Sequence, residues 1–252
     1  ALVGLGFSAE ELGSIDTSGT SRDVVLSTDG KMAYLADGSS GIRIIDLTDD
    51  TNPVEISNLD TTSGNARGIA LSSDENTLYL ANYSAGLQII DVTNASEPSL
   101  LGDYNTSGYS QDVVLSPDGN TAFIADQQGG VDVIDVSDGL NPSSVATLGG
   151  STNVFDIDIS PDGRYLYVAD RTAGLLVYDV QDITNPVLEA TIETSGVATG
   201  IILSNDGSKA YVADFSAGIL VYDLINPASP VYAVSYETGS TSRKLDISDD
   251  DE

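Results

Sequence analysis

The chain has 252 residues with 39 acidic against 9 basic side chains, a net charge of −30, and neither histidine nor cysteine. That composition excludes disulfides, thiol nucleophiles, histidine triads and Cys/His zinc sites. So acidic a surface repels nucleic acid and anionic lipid, and no run of about 18 apolar residues is present to span a membrane.

Taken in chain order, the sequence repeats itself. The segments GIRIIDL (41–47), GLQIIDV (86–92), GVDVIDV (130–136), GLLVYDV (174–180) and GILVYDL (218–224) are copies of one strand, each ending near an aspartate: Asp46, Asp91, Asp135, Asp179 and Asp223. The aspartates are spaced by 44 or 45 residues. Within each copy a first strand (23–27, 68–72, 112–116, 156–160, 200–204) precedes a turn such as Ser116-Pro117-Asp118-Gly119. Asp-Gly supplies the positive φ that a hairpin demands. A second strand follows, as in TAFIAD (121–126), then the aspartate-bearing third strand, a Pro-containing turn and a fourth strand leading to Thr-Ser-Gly (17–19, 62–64, 106–108, 194–196).

Four short strands per repeat at this period predict an all-β fold, a β-propeller of four-stranded antiparallel blades. Five repeats are complete. Residues 10–19 align with a fourth strand and 243–252 with a first strand, so the two chain ends are expected to share a partial sixth sheet or to await blades from a longer parent. Residues 1–252 read as one propeller domain. The first residue is Ala1 and no signal peptide is visible, which fits a piece processed or excised from a longer protein.

The strings GLQIIDVTNASEP, GLLVYDVQDITNP and GIRIIDLTDDTNP resemble the LVIVD repeat, and SPDGRYLYVAD is similar to the related YVTN-type repeats. The resemblance spans roughly residues 10–250. It implies a propeller of prokaryotic secreted or cell-surface proteins and no shared reaction. The chain departs from the pattern at Glu75 and Asn76, where Asp-Gly is expected, at Asn82 in place of Asp, and at Gly149 and Gly150 in place of Thr-Ser-Gly.

Repeated aspartates at strand ends (Asp37, Asp126, Asp170 and Asp214, besides the five above) are read as acceptors for backbone N–H groups of the following turn. Sites are sought instead where the repeats differ. One residue precedes the first strand in each copy: Arg22, Arg67, Gln111, Phe155, Thr199 and Arg243. The first strand lines a propeller's channel, so these six are expected at one mouth, where the arginines could hold a carboxylate or sulfate. The competing reading pairs the arginines with Asp23, Asp112 and Asp156. Asp158 and Asp246 stand where other copies carry Val25, Ala70, Val114 and Ile202. With Asp156 they are the metal candidates, and calcium is the cofactor they could take. The tail 246–252 lacks EF-hand spacing and reads as a solvated acidic end.

The expected function is non-enzymatic: an extracellular or surface module for adhesion, attachment or display, in a saline, prokaryotic setting, with protein or carbohydrate partners. The alternative is a structural block of a filament or surface layer that self-associates through its incomplete terminal blade. A carboxylate-dependent glycoside hydrolase has only Asp156, Asp158 and Asp246 to draw on.

Overall fold

A computed structural model describes residues 11–61, 64–149 and 153–247. Thr62, Ser63, Gly150 and the acidic tail from 248 onward lie outside the described residues. Among the described residues, twenty strands form five four-stranded antiparallel sheets. Blade 1 holds β1 (Asp23–Leu26), β2 (Met32–Ala36), β3 (Ile42–Asp46) and β4 (Val54–Leu59). Blade 2 holds β5 (Ile69–Leu71), β6 (Thr77–Ala81), β7 (Leu87–Asp91) and β8 (Ser99–Tyr104). Blade 3 holds β9 (Asp112–Leu115), β10 (Thr121–Ala125), β11 (Val131–Asp135) and β12 (Ser143–Leu148). Blade 4 holds β13 (Val154–Ile159), β14 (Tyr165–Asp170), β15 (Gly174–Asp179) and β16 (Val187–Ile192). Blade 5 holds β17 (Ala198–Leu203), β18 (Lys209–Asp214), β19 (Gly218–Asp223) and β20 (Val231–Tyr236). The first strands of successive blades touch one another and surround a central channel.

The middle two strands of each blade are buried on both faces, which is why they read as apolar runs and not as alternations. Their side chains meet those of the next blade in four cores, between blades 1 and 2, 2 and 3, 3 and 4, and 4 and 5. The Ser-x-Asp-Gly turns form as the sequence requires: Gly30, Gly119, Gly163 and Gly207 have φ of 68–73°. In the odd copy Glu75 takes φ 60° itself, and its carboxylate accepts the Thr28 N–H of blade 1 at 2.6 Å.

The strand-end aspartates do more than close the following turn. Asp46, Asp91, Asp135 and Asp179 accept the N–H two residues on, as expected. Asp126, fully buried, instead takes bonds from Thr106, Gly108 and Ser110, the segment arriving from the preceding blade. Asp37 holds Thr17 and Gly19 in the same way. Asp214 serves both, binding Gly196 upstream and Ser216 and Ala217 downstream. The Thr-Ser-Gly signal is therefore a latch between blades. Asp126→Ala should strand those donors and cost about 2 kcal/mol of stability, read as a shift in urea midpoint.

Neither chain end forms a strand among the described residues, so no shared sixth sheet is seen among them. The ends still lie against the flanking blades. Gly13 packs on the 50–53 turn of blade 1, and the Thr199 hydroxyl donates to the Ser242 carbonyl at 3.0 Å. Without middle strands to pair with, the ends are held by contacts of this kind, among them Thr17 and Gly19 on Asp37 and Lys244 on Asp23.

Candidate binding site at the channel mouth

The channel is organised in tiers along its first strands. The outermost tier is the six residues singled out from the sequence. Arg22, Arg67, Gln111, Phe155, Thr199 and Arg243 all line one cavity of about 410 Å³, together with Arg171, Phe215 and Lys244. Arg171 and Phe215 were missed by the sequence reading. Each follows the aspartate that ends the second strand, a position also held by Gly38, Tyr83 and Gln127. That position bonds to the connection entering the first strand: Tyr83 bridges Ser110, Gln127 bridges Val154, and the Arg171 N–H donates to the Asn153 carbonyl at 3.0 Å. The variability of this second position was the available signal.

The next tier runs Asp23, Gly68, Asp112, Asp156, Gly200, Lys244. Lys244 Nζ lies 2.8 Å from Asp23, 3.4 Å from Asp112 and 3.8 Å from Asp156. The same carboxylates stitch adjacent blades, accepting the N–H of Ile69, Ile157 and Ile201 respectively. The two glycines make room: a Cβ on Gly68 would stand 2.4 Å from Asp112 Oδ1, and one on Gly200 would stand 2.5 Å from the Arg243 carbonyl. Burial works against the Lys244 ammonium, but the charges of Asp112, Asp156 and Asp23 outweigh it and hold its pKa above the usual lysine range. Burial raises Asp23 and raises Asp156 well above its ordinary value, the latter helped by the charge of Asp112, because one ammonium cannot neutralise three carboxylates.

These contacts correct one reading. The mouth arginines do not pair with Asp23, Asp112 and Asp156; Lys244 does. Arg22, Arg67, Arg171 and Arg243 form no salt bridge among the described residues. Three of them lie over aromatic rings instead: Arg67 over Tyr83 at 4.8 Å, Arg171 over Phe155 at 4.4 Å and Arg243 over Phe215 at 5.7 Å. Tyr83 is itself stacked on Tyr109, with ring centroids 4.5 Å apart. Arg67 Nε is buried without a hydrogen-bond partner among the described residues. Burial and the charge of Arg22 both press the Arg67 pKa below the usual arginine value.

Deeper in the channel, Asp158 accepts the N–H groups of Leu203 and Ile159, at 2.7 and 2.8 Å. Burial nevertheless lifts its pKa to about 6. Asp246 accepts the Ile247 N–H. Asp156, Asp158 and Asp246 line the channel together. Asp156 is committed to Lys244 and Ile201, and among the described residues no group of three or more acidic side chains is placed to hold a metal ion.

Five radial four-stranded sheets around a channel define a β-propeller. The LVIVD repeat model matches residues 18–61, 63–106, 107–153, 149–194 and 195–238, and the chain belongs to that family. A protein of unknown function from Desulfotomaculum acetoxidans is similar in structure, with a TM-score of 0.79 at 17% identity over 92% of this chain and 76% of that one. The periplasmic gluconolactonase PpgL of Pseudomonas aeruginosa is similar with a TM-score of 0.73 at 17% identity, over 87% of this chain and 71% of that one. The Cps50 (Swd1) β-propeller domain of Myceliophteria thermophila matches with a TM-score of 0.72 at 13% identity, over 89% and 74% of the two chains. At these identities the likeness is one of fold. No curated protein matches the chain.

Proposed function

We propose that this propeller is a non-enzymatic interaction module of a secreted or cell-surface prokaryotic protein, and that it takes its partner at the arginine-lined mouth. One observation carries the reading. In a chain of net charge −30, four guanidiniums converge on one cavity and none has a carboxylate partner among the described residues. Unpaired charge of one sign in a concave site is an arrangement for a ligand of the other sign. The channel aspartates are occupied by Lys244 and backbone N–H groups, which speaks against carboxylate catalysis.

The test sets binding beside turnover. On an array of neutral and acidic saccharides and envelope proteins, the wild type should retain ligands that an Arg22→Gln/Arg67→Gln double variant loses, with each change weakening binding about tenfold. Glucono-δ-lactone should hydrolyse no faster with protein than in buffer. Hydrolysis that disappears with Arg67→Gln, or binding indifferent to the double variant, would contradict the reading.

A second reading, assembly into a filament or layer, is favoured by the open flank. No core joins blades 5 and 1 among the described residues, and Val24 is 53% exposed where its counterparts Val113 and Ile157 are each 2% exposed. Every residue of β20 is exposed. Sedimentation as a monomer at all concentrations, with and without calcium, would remove it.

A further inference from the structure

We infer that the mouth is selective for a compact ligand bearing two or more carboxylate or sulfate groups, an inference that rests on the mouth being the binding site. The arginines are not spread evenly. Around the channel Arg243, Arg22 and Arg67 follow one another on the C-terminal segment, blade 1 and blade 2, whereas Arg171 comes from blade 4 on the far side. A single anionic group can satisfy one end of this arrangement. Engaging the three-arginine arc and Arg171 together takes at least two.

Three further features narrow the ligand. First, Phe155, Phe215 and Tyr83 each carry a guanidinium over one face, and Tyr83 is also stacked on Tyr109, which leaves less ring surface for stacking a neutral sugar. A guanidinium held over a ring still offers its N–H edge to a bidentate acceptor, and part of its conformational freedom is already lost. Second, the neutral groups are turned inward: Thr199 donates to backbone carbonyls and Gln111 to the Tyr109 carbonyl. Recognition therefore falls to charge. Third, the ligand is limited in depth and breadth. The ring of Asp23, Asp112 and Asp156 lies directly beneath the mouth, and the surrounding surface carries the chain's acidic excess. A long polyanion would have to run across that surface, while a compact one seats in a cavity of about 410 Å³, within the roughly 300–1,000 Å³ of small-molecule sites.

Isothermal titration at about 0.15 M sodium chloride with four probes tests this: tricarballylate, a disulfated disaccharide, propionate and glucose. At least one of the first two should bind tenfold or more tightly than propionate, and which of them does so separates carboxylate from sulfate recognition. Arg171→Gln should remove most of that advantage, because it breaks the span, while Lys31→Gln, the same charge change at an exposed site, should leave it intact. Propionate binding as tightly as both polyanions would overturn the inference. So would rim-dependent binding of a protein or neutral saccharide with no polyanion binding, and that result would leave the mouth standing as the interaction site. Polyanion binding unchanged in both Arg171→Gln and the Arg22→Gln/Arg67→Gln double variant would overturn the inference and the site together.

Discussion

Replacing Lys244 with methionine should lower stability by about 3 kcal/mol at neutral pH. The ammonium sits among Asp23, Asp112 and Asp156, and removing it leaves three carboxylates facing one another in the channel. Breaking a buried pair costs about 3–5 kcal/mol, and the Lys244 side chain is 41% exposed, so water screens part of the loss and sets the low end. For a chain of this size the midpoint should fall by roughly 6–12 °C. The deficit should shrink on acidification, as Asp156, with its raised pKa, takes up a proton in place of the missing cation. Lys244→Met with an unchanged midpoint at neutral pH would show that the C-terminal segment does not hold the channel together. Lys244 joins blades 1, 3 and 4, so its loss should also loosen the mouth above it.

The second large effect is a slope of stability with pH. Asp158 has its pKa raised from 3.8 to about 6 in the folded state. The unfolded chain then releases its proton at lower pH than the folded one. The contribution to stability is full below pH ~4 and is lost as pH rises through ~6. The shift corresponds to about 3 kcal/mol at 1.36 kcal/mol per unit, reduced to about 1–2 kcal/mol because Asp158 is partly solvent-accessible. Carboxylates with lowered pKa, such as Asp206 at about 2, act in the opposite direction but only at lower pH. Urea midpoints should therefore rise as pH falls from 7 to 5. Asp158→Asn should flatten that rise, since its amide oxygen can still accept the Leu203 N–H and carries no charge to desolvate. An equal slope in the variant would mean that another group carries it.

The architecture was legible because each local signal agreed with the next. Asp-Gly fixed the turns and the 44-residue step fixed the blades. The departures were legible too, and Glu75 shows how one is absorbed, by adopting the glycine backbone and bonding the neighbouring blade. The outer tier of the mouth could be read as the one variable position before each first strand. Arg171 and Phe215 could not be placed there until the turn after the second strand was seen beside the connection entering the first. Lys244 was harder still. Its role depends on Asp23, 221 residues away, and on Asp112, 132 residues away, and no local pattern encodes such contacts. The latch role of Asp126 has the same cause, since its donors belong to the preceding blade.

The most direct test of the mouth as a binding site is the arginine Nε–H spectrum of the ¹⁵N-labelled protein, titrated with tricarballylate. Of the six arginines, Arg22, Arg67, Arg171 and Arg243 line the cavity, while Arg43 and Arg164 are ion-paired elsewhere and serve as internal controls. Four signals should shift together along one saturating isotherm and two should stay in place. Uniform small shifts of all six, or movement of Arg43 or Arg164 alone, would contradict the assignment of the binding site to the mouth.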